Sequence, residues 1–234
     1  MKITAVDLFC GAGGLSYGLE QAGISVNVGV DKDPDCKHAY EQNIDAEYRQ
    51  TDVRPLSQDP ERVARMFPWD SDLDVLGACA PCQPYSTMGH SKDKTHEDHQ
   101  KWGLLKNVKN IVEYVEPDVV VTENVLQVRK DDVYDELVQT LEDLGYNVND
   151  DENKKVYCPE YGIPQNRKRW VMMASKERPI SLPDPLFEDE SEYPTVRETI
   201  GHLPPLRAGE VHPEHDLHRA RTLSDKNLER IRNM

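Results

Sequence analysis

Two kinds of hydrophobic pattern alternate along most of this 234-residue chain. Segments with the length and composition typical of strands fall at residues 3–9, 24–30, 48–53, 73–78, 119–122, 146–156 and 169–174. Segments with the pattern typical of helices fall at residues 34–43, 60–67, 104–115, 133–144 and 224–232. Because strands and helices alternate, we predict an α/β protein built on a doubly wound, mainly parallel, Rossmann-like sheet.

The composition changes near the end of the chain. Beyond residue 179 the sequence becomes rich in Pro, Asp, Glu and His, and a helical pattern returns only at residues 224–232. We therefore divide the chain into an α/β domain of residues 1–176 and an extension of residues 177–234, which is interpreted as a linker and the start of a further region.

The first predicted strand leads into a glycine-rich turn, DLFCGAGGLS, at residues 7–16. Its glycines permit a tight strand-to-helix turn and the close approach of a ligand to the backbone. A P-loop is disfavoured because no Gly-Lys-Ser/Thr end is present, and the dinucleotide pattern matches only in part, since Ser16 replaces its third glycine. Asp31 ends the next strand, where a carboxylate can accept both ribose hydroxyls. The pattern predicts a nucleotide-like cofactor, with a turn that needs glycine for steric reasons alone as the alternative.

Charge and cysteine content limit the classes of function. The chain has 43 acidic and 28 basic residues and a net charge of −15, which opposes binding to a phosphate backbone. That objection loses force if the acidity is a high-salt adaptation or if the basic surface lies in other sequence. Five cysteines at irregular spacing argue against a disulfide framework. No apolar run reaches the roughly 18 residues of a membrane span, and no signal-peptide pattern is present, so we expect a cytoplasmic protein without a membrane partner.

A thiol and a carboxylate follow two of the predicted strands. Cys82 closes a Cys-Ala-Pro-Cys segment that begins at Cys79, and Glu123 follows a β-branched run. Since parallel strands end at one edge of a sheet, both side chains are expected near the glycine-rich turn. The Cys-x-x-Cys pair also suits a redox dithiol, but that function leaves the turn unused, and zinc lacks a second pair of ligands. Cys82 is then a nucleophile or an inert thiol, Cys79 is assigned to packing, and no metal is predicted.

Four motifs, in this order, resemble those of the DNA (cytosine-5) methyltransferases. They are the cofactor loop DLFCGAGG at residues 7–14, Pro81-Cys82-Gln83, Glu123-Asn124-Val125 and Gln165-x-Arg167-x-Arg169. The resemblance covers residues 1–176, and residues 195–232 are similar to the start of the family's target-recognition region. It implies a class I S-adenosylmethionine-dependent methyltransferase fold, S-adenosylmethionine as the cofactor, and a role in DNA methylation within a restriction-modification system.

The resemblance also implies a chemistry. Carbon 5 of cytosine is a poor nucleophile, so a thiolate, here Cys82, first adds to carbon 6 and forms an enamine. Glu123 is implied as the carboxyl group that protonates or hydrogen-bonds ring nitrogen 3, in a closed pocket that raises its pKa. Arg167 and Arg169, two apart on an extended segment, point to one side and can bind the base carbonyl, a phosphate or Glu123 itself. The substrate is a cytosine flipped out of double-stranded DNA, with the loop of residues 86–101 as a lid.

Cofactor contacts follow from the same resemblance. The implied binding residues are Phe9, Gly11, Gly13, Gly14, Asp31, Asp52 and Pro81. Phe9 is expected against the adenine, and backbone groups around Gly11 and Gly13 are expected to meet the methionine portion. Asp31 and Asp52 are expected at the ribose and the adenine. From the local pattern alone, Asp52 is equally well an exposed strand end.

The family continues beyond the motifs found here, through a target-recognition domain and a final segment that completes the sheet and the cofactor pocket. We therefore expect a truncated product, or a split enzyme whose second chain supplies these segments, and an isolated chain with weak cofactor binding and no activity. Three alternatives stay open. They are a tRNA cytosine-5 methyltransferase, a catalytically silent fragment that binds DNA or a partner, and a nicotinamide oxidoreductase.

Overall fold

The structure, a computed structural model, describes residues 1–81, 103–149 and 155–233. Its strands are β1 (Ile3–Leu8), β2 (Ser25–Asp31), β3 (Glu47–Gln50), β4 (Leu73–Ala78), β5 (Val119–Asn124), β6 (Asn147–Asn149), β7 (Lys155–Tyr157) and β8 (Lys168–Ser175). Its helices are α1 (Gly14–Gln21), α2 (Pro34–Asn43), α3 (Val53–Gln58), α4 (Glu61–Ala64), α5 (Leu104–Val115), α6 (Asp132–Asp143), α7 (Val196–Ile200) and α8 (Asp225–Arg232). Cys82, Gln83 and the predicted lid at residues 86–101 lie outside the described residues.

The sheet is mainly parallel, as predicted. Its strand order is β3-β2-β1-β4-β5-β8-β6, with β7 also paired to β8. The four pairs that join β3, β2, β1, β4 and β5 are parallel, whereas β8 runs antiparallel to its three neighbours. The connection from β7 to β8, residues 158–167, is shorter than the dozen or so residues that a parallel crossover requires. This difference in direction was not predicted from the pattern.

The two faces of the sheet are covered unequally. One face packs against α3, α5 and α6, and its buried side chains include Val6, Leu8, Leu56, Leu76, Val108, Ile111, Val120, Leu137, Met172 and Ala174. On the other face, α1 places Leu19 against a smaller cluster around Ala5. At β5 and β8 of that second face, Val119, Val121 and Met173 are only partly buried. The second face therefore carries apolar surface that the described residues leave partly uncovered.

Local sequence explains why the predicted helices form where they do. Asp33 caps α2 by accepting a hydrogen bond from the backbone N–H of Asp35, and Pro34 occupies the first helical position. The helix predicted at residues 104–115 is confirmed as α5, because its buried side chains form a single stripe. Helix α6 ends before Gly145, whose φ of 84° is the left-handed conformation expected after a helix end.

Three predicted elements differ from the structure. The strand predicted at residues 48–53 ends as β3 at Gln50, because Asp52 instead caps α3 by accepting from the backbone N–H of Arg54. The helix predicted at residues 60–67 is the single turn α4. The strand predicted at residues 146–156 is two strands, β6 and β7, separated by residues 150–154, which lie outside the described part of the chain.

The extension contains α7, α8, a 3-10 turn and one isolated bridge between Val211 and Arg219. None of its described residues, 177–233, is buried. It is attached to the α/β domain by hydrogen bonds from the Leu186 N–H to the Glu160 carbonyl and between His38 Nε2 and Asp216 Oδ2, 2.6 Å apart. The domain boundary at residue 176 stays a prediction. In the described ranges, no helix is long and apolar enough to cross a membrane.

Candidate active site

The parallel strands bring the predicted site residues to one edge of the sheet. β1 leads into the glycine loop, which we define as residues 9–14, and β2 ends at Asp31. β4 ends one residue before Cys79, and β5 ends with Glu123 and Asn124. Because these four strands are parallel, their carboxyl ends meet at this edge, where α/β proteins bind ligands.

The glycine loop turns through left-handed backbone conformations. Phe9, Gly11 and Gly13 have φ angles of 63°, 53° and 96°. Such an angle is uncommon for a residue with a side chain, and Phe9 is held in it while its ring packs against the main core. The Gly11 N–H donates to Asp31 Oδ2 at 3.0 Å, which ties the loop to the end of β2. Asp31 therefore orients the loop, a role that the sequence did not reveal.

The three glycines of the loop face different surroundings. A Cβ atom at Gly13 would stand 2.9 Å from Ile44 Cγ1, so the absence of a side chain there is required by packing against α2 and its C-terminal end. A Cβ atom at Gly11 or Gly14 would meet no atom of the described residues within 4 Å. The open side of the loop, where a ligand can approach the backbone, therefore lies at Gly11 and Gly14 rather than on the Cβ side of Gly13.

Asp31 at the end of β2 and Asp52 at the start of α3 differ in how many hydrogen bonds their carboxylates already accept. Asp31 accepts one backbone N–H on each oxygen, from Gly11 and Asp33, and each oxygen can accept a second bond. Asp52 is occupied by its neighbour Arg54, whose guanidinium reaches both carboxylate oxygens, with the shortest distance 2.6 Å. Hydrogen bonds from Arg54 lower the pKa of Asp52. Asp31 suits the expected ribose contact as it stands, whereas Asp52 suits an adenine contact only if Arg54 moves.

Glu123 is paired with both arginines of the basic motif. Arg169 Nε lies 2.7 Å from Glu123 Oε1, and Arg167 Nη2 lies 3.7 Å from the same oxygen. Arg169 lies on β8 beside β5, and its side chain is on the same face of the sheet as Glu123. Arg167 is two residues away from Arg169, so it is expected on that face as well. The Glu123 side chain is 37 % exposed, so the described residues do not form the closed pocket that was expected around it.

The end of β5 also holds the segment that precedes Cys82. Thr122 Oγ1 donates to the Ala78 carbonyl at 2.9 Å, and the Asn124 side-chain amide donates to the Ala80 carbonyl at 3.1 Å. Both donors are buried. The backbone from Ala78 to Ala80 is therefore held by β5, and the exposed Pro81 follows it.

Cys79 lies within this segment, and its thiol stays protonated at neutral pH. Its Sγ accepts the Glu123 N–H at 3.4 Å, and burial raises the pKa of the Cys79 thiol to about 12. This raised pKa suits the packing role that was assigned to Cys79. In residues 1–81, 103–149 and 155–233, no group of His, Cys, Asp and Glu side chains is arranged to hold a metal ion.

Comparison with known proteins assigns the family. A family model for the C-5 cytosine-specific DNA methylases matches residues 3–233. The chain belongs to the C-5 cytosine-specific DNA methylases. The resemblance inferred from the four motifs is therefore confirmed, and S-adenosylmethionine is the cofactor of this family.

Two relatives of this chain are type II enzymes by name. It is 37 % identical over 229 residues to the type II methylase M.HgiDII of Herpetosiphon aurantiacus, covering 97 % of this chain and 62 % of the relative. It is 33 % identical over 215 residues to the type II methyltransferase M1.HphI of Haemophilus parahaemolyticus, covering 90 % and 55 %. The chain thus spans less than two thirds of the length of these relatives.

Solved structures show the same fold. The methyltransferase EhMeth of Entamoeba histolytica superimposes with a TM-score of 0.60 at 22 % identity, covering 79 % of this chain and 57 % of that one. The predicted Rossmann-like class I methyltransferase fold is confirmed.

The described residues of this chain fit the cofactor of the family. The open side of the loop at Gly11 and Gly14 leaves room for a ligand, and both oxygens of Asp31 keep a lone pair. In addition, a buried oxygen of Asp7 has no hydrogen-bond partner within the described residues. The assignment of Phe9, Gly11, Gly14, Asp31 and the other cofactor residues to individual contacts stays a prediction.

Sequence reasoning missed several residues that build this site. Asp7, Ser16 and Tyr40 form a buried hydrogen-bonded group under the glycine loop, and Arg54 occupies Asp52. The available signal was a charged residue inside an apolar strand, since Asp7 follows Val6 directly. A buried charge needs a partner, but the sequence does not say which distant side chain supplies it.

Proposed function

We propose that this chain is the catalytic portion of an enzyme that transfers a methyl group from S-adenosylmethionine to carbon 5 of cytosine in duplex DNA. The observation that carries the proposal is the arrangement at the end of β5. There, Glu123 is held by Arg169, and Asn124 holds the carbonyl of Ala80, two residues before Cys82. A carboxyl group, a cation and the segment that leads to Cys82 thus share one edge of the sheet with the glycine loop. The names of the type II relatives support a role in a restriction-modification system.

Cys82 is the proposed nucleophile. Its thiolate forms a bond to carbon 6, and the electrons of the carbon 5–carbon 6 double bond move toward ring nitrogen 3, which gains a proton or a hydrogen bond. The resulting enamine makes carbon 5 nucleophilic. Bound S-adenosylmethionine would supply the methyl group to that carbon and leave as S-adenosylhomocysteine, with the sulfur–methyl bond broken. Loss of the carbon 5 proton then restores the double bond and expels the Cys82 thiolate, so the enzyme is regenerated.

Glu123 is proposed to act at ring nitrogen 3, with Arg167 and Arg169 as its positioning residues. Both ion pairs are made by Glu123 Oε1. The other oxygen, Oε2, is therefore the one that can face the base while Oε1 is fixed. Arg167 is the more exposed of the two arginines and the more distant from Glu123, so it is also available to a phosphate or to the base carbonyl.

The DNA substrate is proposed to present a flipped cytosine, because neither carbon 6 nor nitrogen 3 can be reached by side chains inside a stacked, paired duplex. Arg167 and Arg169 place two cations at the site, which offsets locally the repulsion expected from the net charge of −15. The lid at residues 86–101 stays a prediction, and a cytoplasmic location is part of this proposal.

We also propose that the active assembly includes further segments, either in this polypeptide or in a second chain, that carry target recognition. Two observations support this. The chain spans 62 % of its type II relative from Herpetosiphon aurantiacus. The extension exposes large apolar side chains, namely Leu186, Val196, Ile200, Leu203, Val211, Leu217 and Ile231. Apolar surface gains about 2.5 kcal/mol for each 100 Å² that a partner covers.

Trapping of the covalent intermediate tests the function. The active assembly, which is this chain with the segments that complete it, is first expressed in a host whose DNA is analysed by bisulfite sequencing, and this reveals the methylated sequence. A duplex with 5-fluorocytosine at that position, where fluorine prevents the final elimination, should then give a covalent adduct with the wild type and with Cys79→Ser but not with Cys82→Ser. An adduct that persists in Cys82→Ser and vanishes in Cys79→Ser would overturn the assignment. Methylation of tRNA instead of DNA would favour the tRNA alternative.

A further inference from the structure

A carboxyl group is buried beneath the glycine loop. Asp7 is 1 % exposed, although it lies in β1 between the apolar residues Val6 and Leu8. Its Oδ2 accepts a hydrogen bond from the Ser16 hydroxyl at 2.7 Å, whereas its buried Oδ1 has no hydrogen-bond partner among the described residues. Ser16 stabilises the ionised carboxylate only in part, because Oδ1 stays without a partner, and burial raises the pKa of Asp7 to about 6.

The Ser16 hydroxyl links Asp7 to Tyr40. Ser16 Oγ and the Tyr40 hydroxyl oxygen are 3.0 Å apart, and both side chains are fully buried. Ser16 has a single hydroxyl proton, which it donates to Asp7, so Tyr40 must be the donor to Ser16. Donation therefore runs from Tyr40 to Ser16 to Asp7, and each donor strengthens the next one.

Two glycines leave the space that the Tyr40 side chain occupies. A Cβ atom at Gly29 on β2 would stand 2.3 Å from the Tyr40 hydroxyl oxygen, and a Cβ atom at Gly13 would stand 3.1 Å from the Tyr40 ring. Asp7 lies two residues before the glycine loop, and Ser16 lies two residues after it. The hydrogen-bonded group therefore joins β1, α1 and α2 on both sides of the loop.

Within residues 1–81, 103–149 and 155–233, the titratable neighbours of Asp7 include no cation. They are Asp31 on β2, Cys10 in the glycine loop, Tyr40 on α2 and Cys79 after β4. Asp31 repels the Asp7 carboxylate. Burial raises the pKa of the Cys10 and Cys79 thiols, and repulsion from Asp7 raises it further. A cationic ligand at this edge of the sheet supplies the compensation that these groups do not.

We infer that Asp7, Ser16 and Tyr40 form a proton-linked clamp that positions the glycine loop, and that binding of the cationic cofactor selects the carboxylate form of the clamp. This inference rests on the proposed cofactor site. S-adenosylmethionine carries a sulfonium and an ammonium group, and its positive charge stabilises the Asp7 carboxylate. The proton that Asp7 held is released to solvent. Affinity for the cofactor then increases with pH between pH 5 and 7, about tenfold for each unit by which binding lowers the pKa of Asp7.

The clamp is tested first without cofactor. The Asp7 carboxyl carbon is followed by NMR in protein labelled with ¹³C-aspartate, and Asp7→Asn identifies its resonance. Ser16→Ala should move the titration midpoint to higher pH, and Tyr40→Phe should move it in the same direction by less. Tyr48→Phe is the matched control, since Tyr48 is buried nearby but donates to the Asp33 carbonyl. Equal midpoints in the wild type, Ser16→Ala and Tyr40→Phe would overturn the clamp.

Calorimetry then tests the coupling to cofactor. S-adenosylmethionine is titrated into the active assembly, this chain with the segments that complete it, between pH 5 and 7 in two buffers with different ionisation enthalpies. The wild type should release protons and bind more tightly as the pH rises, and Asp7→Asn should lose both effects. If Asp7→Asn does not fold, Ser16→Ala and Tyr40→Phe decide the question, because each should shift the affinity profile to higher pH. If the affinity does not depend on pH and no proton is released, the coupling is wrong but the proposed cofactor site stands. If no binding is seen at any pH, both the proposed cofactor site and the coupling are wrong.

Discussion

The side-chain amide of Asn124 donates a hydrogen bond to the carbonyl of Ala80 at 3.1 Å, across the boundary between β5 and the segment that follows β4. Asn124 is 5 % exposed, so this bond is protected from water. Glu123, its neighbour in sequence, carries the carboxylate of the site. One strand end therefore places the acid and holds the backbone that leads to Cys82.

Asn124→Ala should lower the rate of methyl transfer, because Ala80 and the following residues lose their support. A displacement of about 1 Å at the nucleophile costs on the order of 100-fold in rate. Loss of the buried hydrogen bond should also lower the free energy of unfolding by about 1–3 kcal/mol. Steady-state kinetics and urea denaturation measure the two effects. Asn149→Ala is the control, since Asn149 likewise donates to a carbonyl, that of Ile180, away from this segment. Equal loss of rate in both variants would contradict the positioning role of Asn124.

Arg169→Ala should reduce the catalytic rate by more than Arg167→Ala does, because Arg169 lies 2.7 Å from Glu123 Oε1 and Arg167 lies 3.7 Å from it. The free energy of unfolding should change by less than about 1 kcal/mol in each case, since the Glu123 carboxylate is partly exposed and its pairs are screened by water. Arg169→Lys should recover only part of the rate, because lysine lacks the planar donors of the guanidinium. The measurement is kcat on a substrate duplex, and a larger loss in Arg167→Ala would show that phosphate or base binding outweighs the orientation of Glu123.

Gly13→Ala should mainly lower the stability of the protein, whereas Gly14→Ala should mainly weaken cofactor binding. Gly13→Ala should lower the free energy of unfolding by about 2–4 kcal/mol, because it adds left-handed strain and a contact with Ile44. Gly14→Ala should change it by less than about 1 kcal/mol, since its Cβ atom meets nothing within 4 Å. If the cofactor occupies that open side, Gly14→Ala weakens its binding in calorimetry although the fold is intact. Unchanged affinity would remove Gly14 from the cofactor residues.

Asp7 should make the protein less stable as the pH rises. The pKa of Asp7 is about 6 in the folded protein and about 3.8 when exposed, so the folded state holds more protons between these values. The contribution of Asp7 to the free energy of unfolding is greatest below about pH 4 and falls by up to about 3 kcal/mol as the pH passes 6. Asp7→Asn should remove this fall.

Urea denaturation at several values between pH 4.5 and 7.5 measures the difference between the wild type and Asp7→Asn. As the pH increases, the free energy of unfolding of Asp7→Asn should rise relative to that of the wild type. The same substitution at the exposed Asp59 is the control, and its difference from the wild type should not follow this trend. A difference for Asp7→Asn that stays constant over the pH range would mean that Asp7 does not titrate as described.

The sequence by itself determined the features that depend on local pattern. The spacing of Leu105, Val108 and Val112 predicts the helix that the structure confirms as α5, because a helix buries one stripe of its own surface. The order of strands and helices also predicted that the glycine loop, Asp31 and Glu123 share one edge, since the carboxyl ends of parallel strands meet there.

Only the tertiary structure decided which partners those residues have. Asp52 has its carboxylate occupied by Arg54, the absence of a side chain at Gly13 serves packing against Ile44, and Asp7 is buried against Ser16. The antiparallel direction of β8 likewise places Arg169 beside Glu123. Apart from the local contact between Asp52 and Arg54, these contacts join residues between 9 and 46 positions apart through the packing of separate elements. Hydrophobic periodicity records which face of an element is buried, but not which side chain lies opposite it.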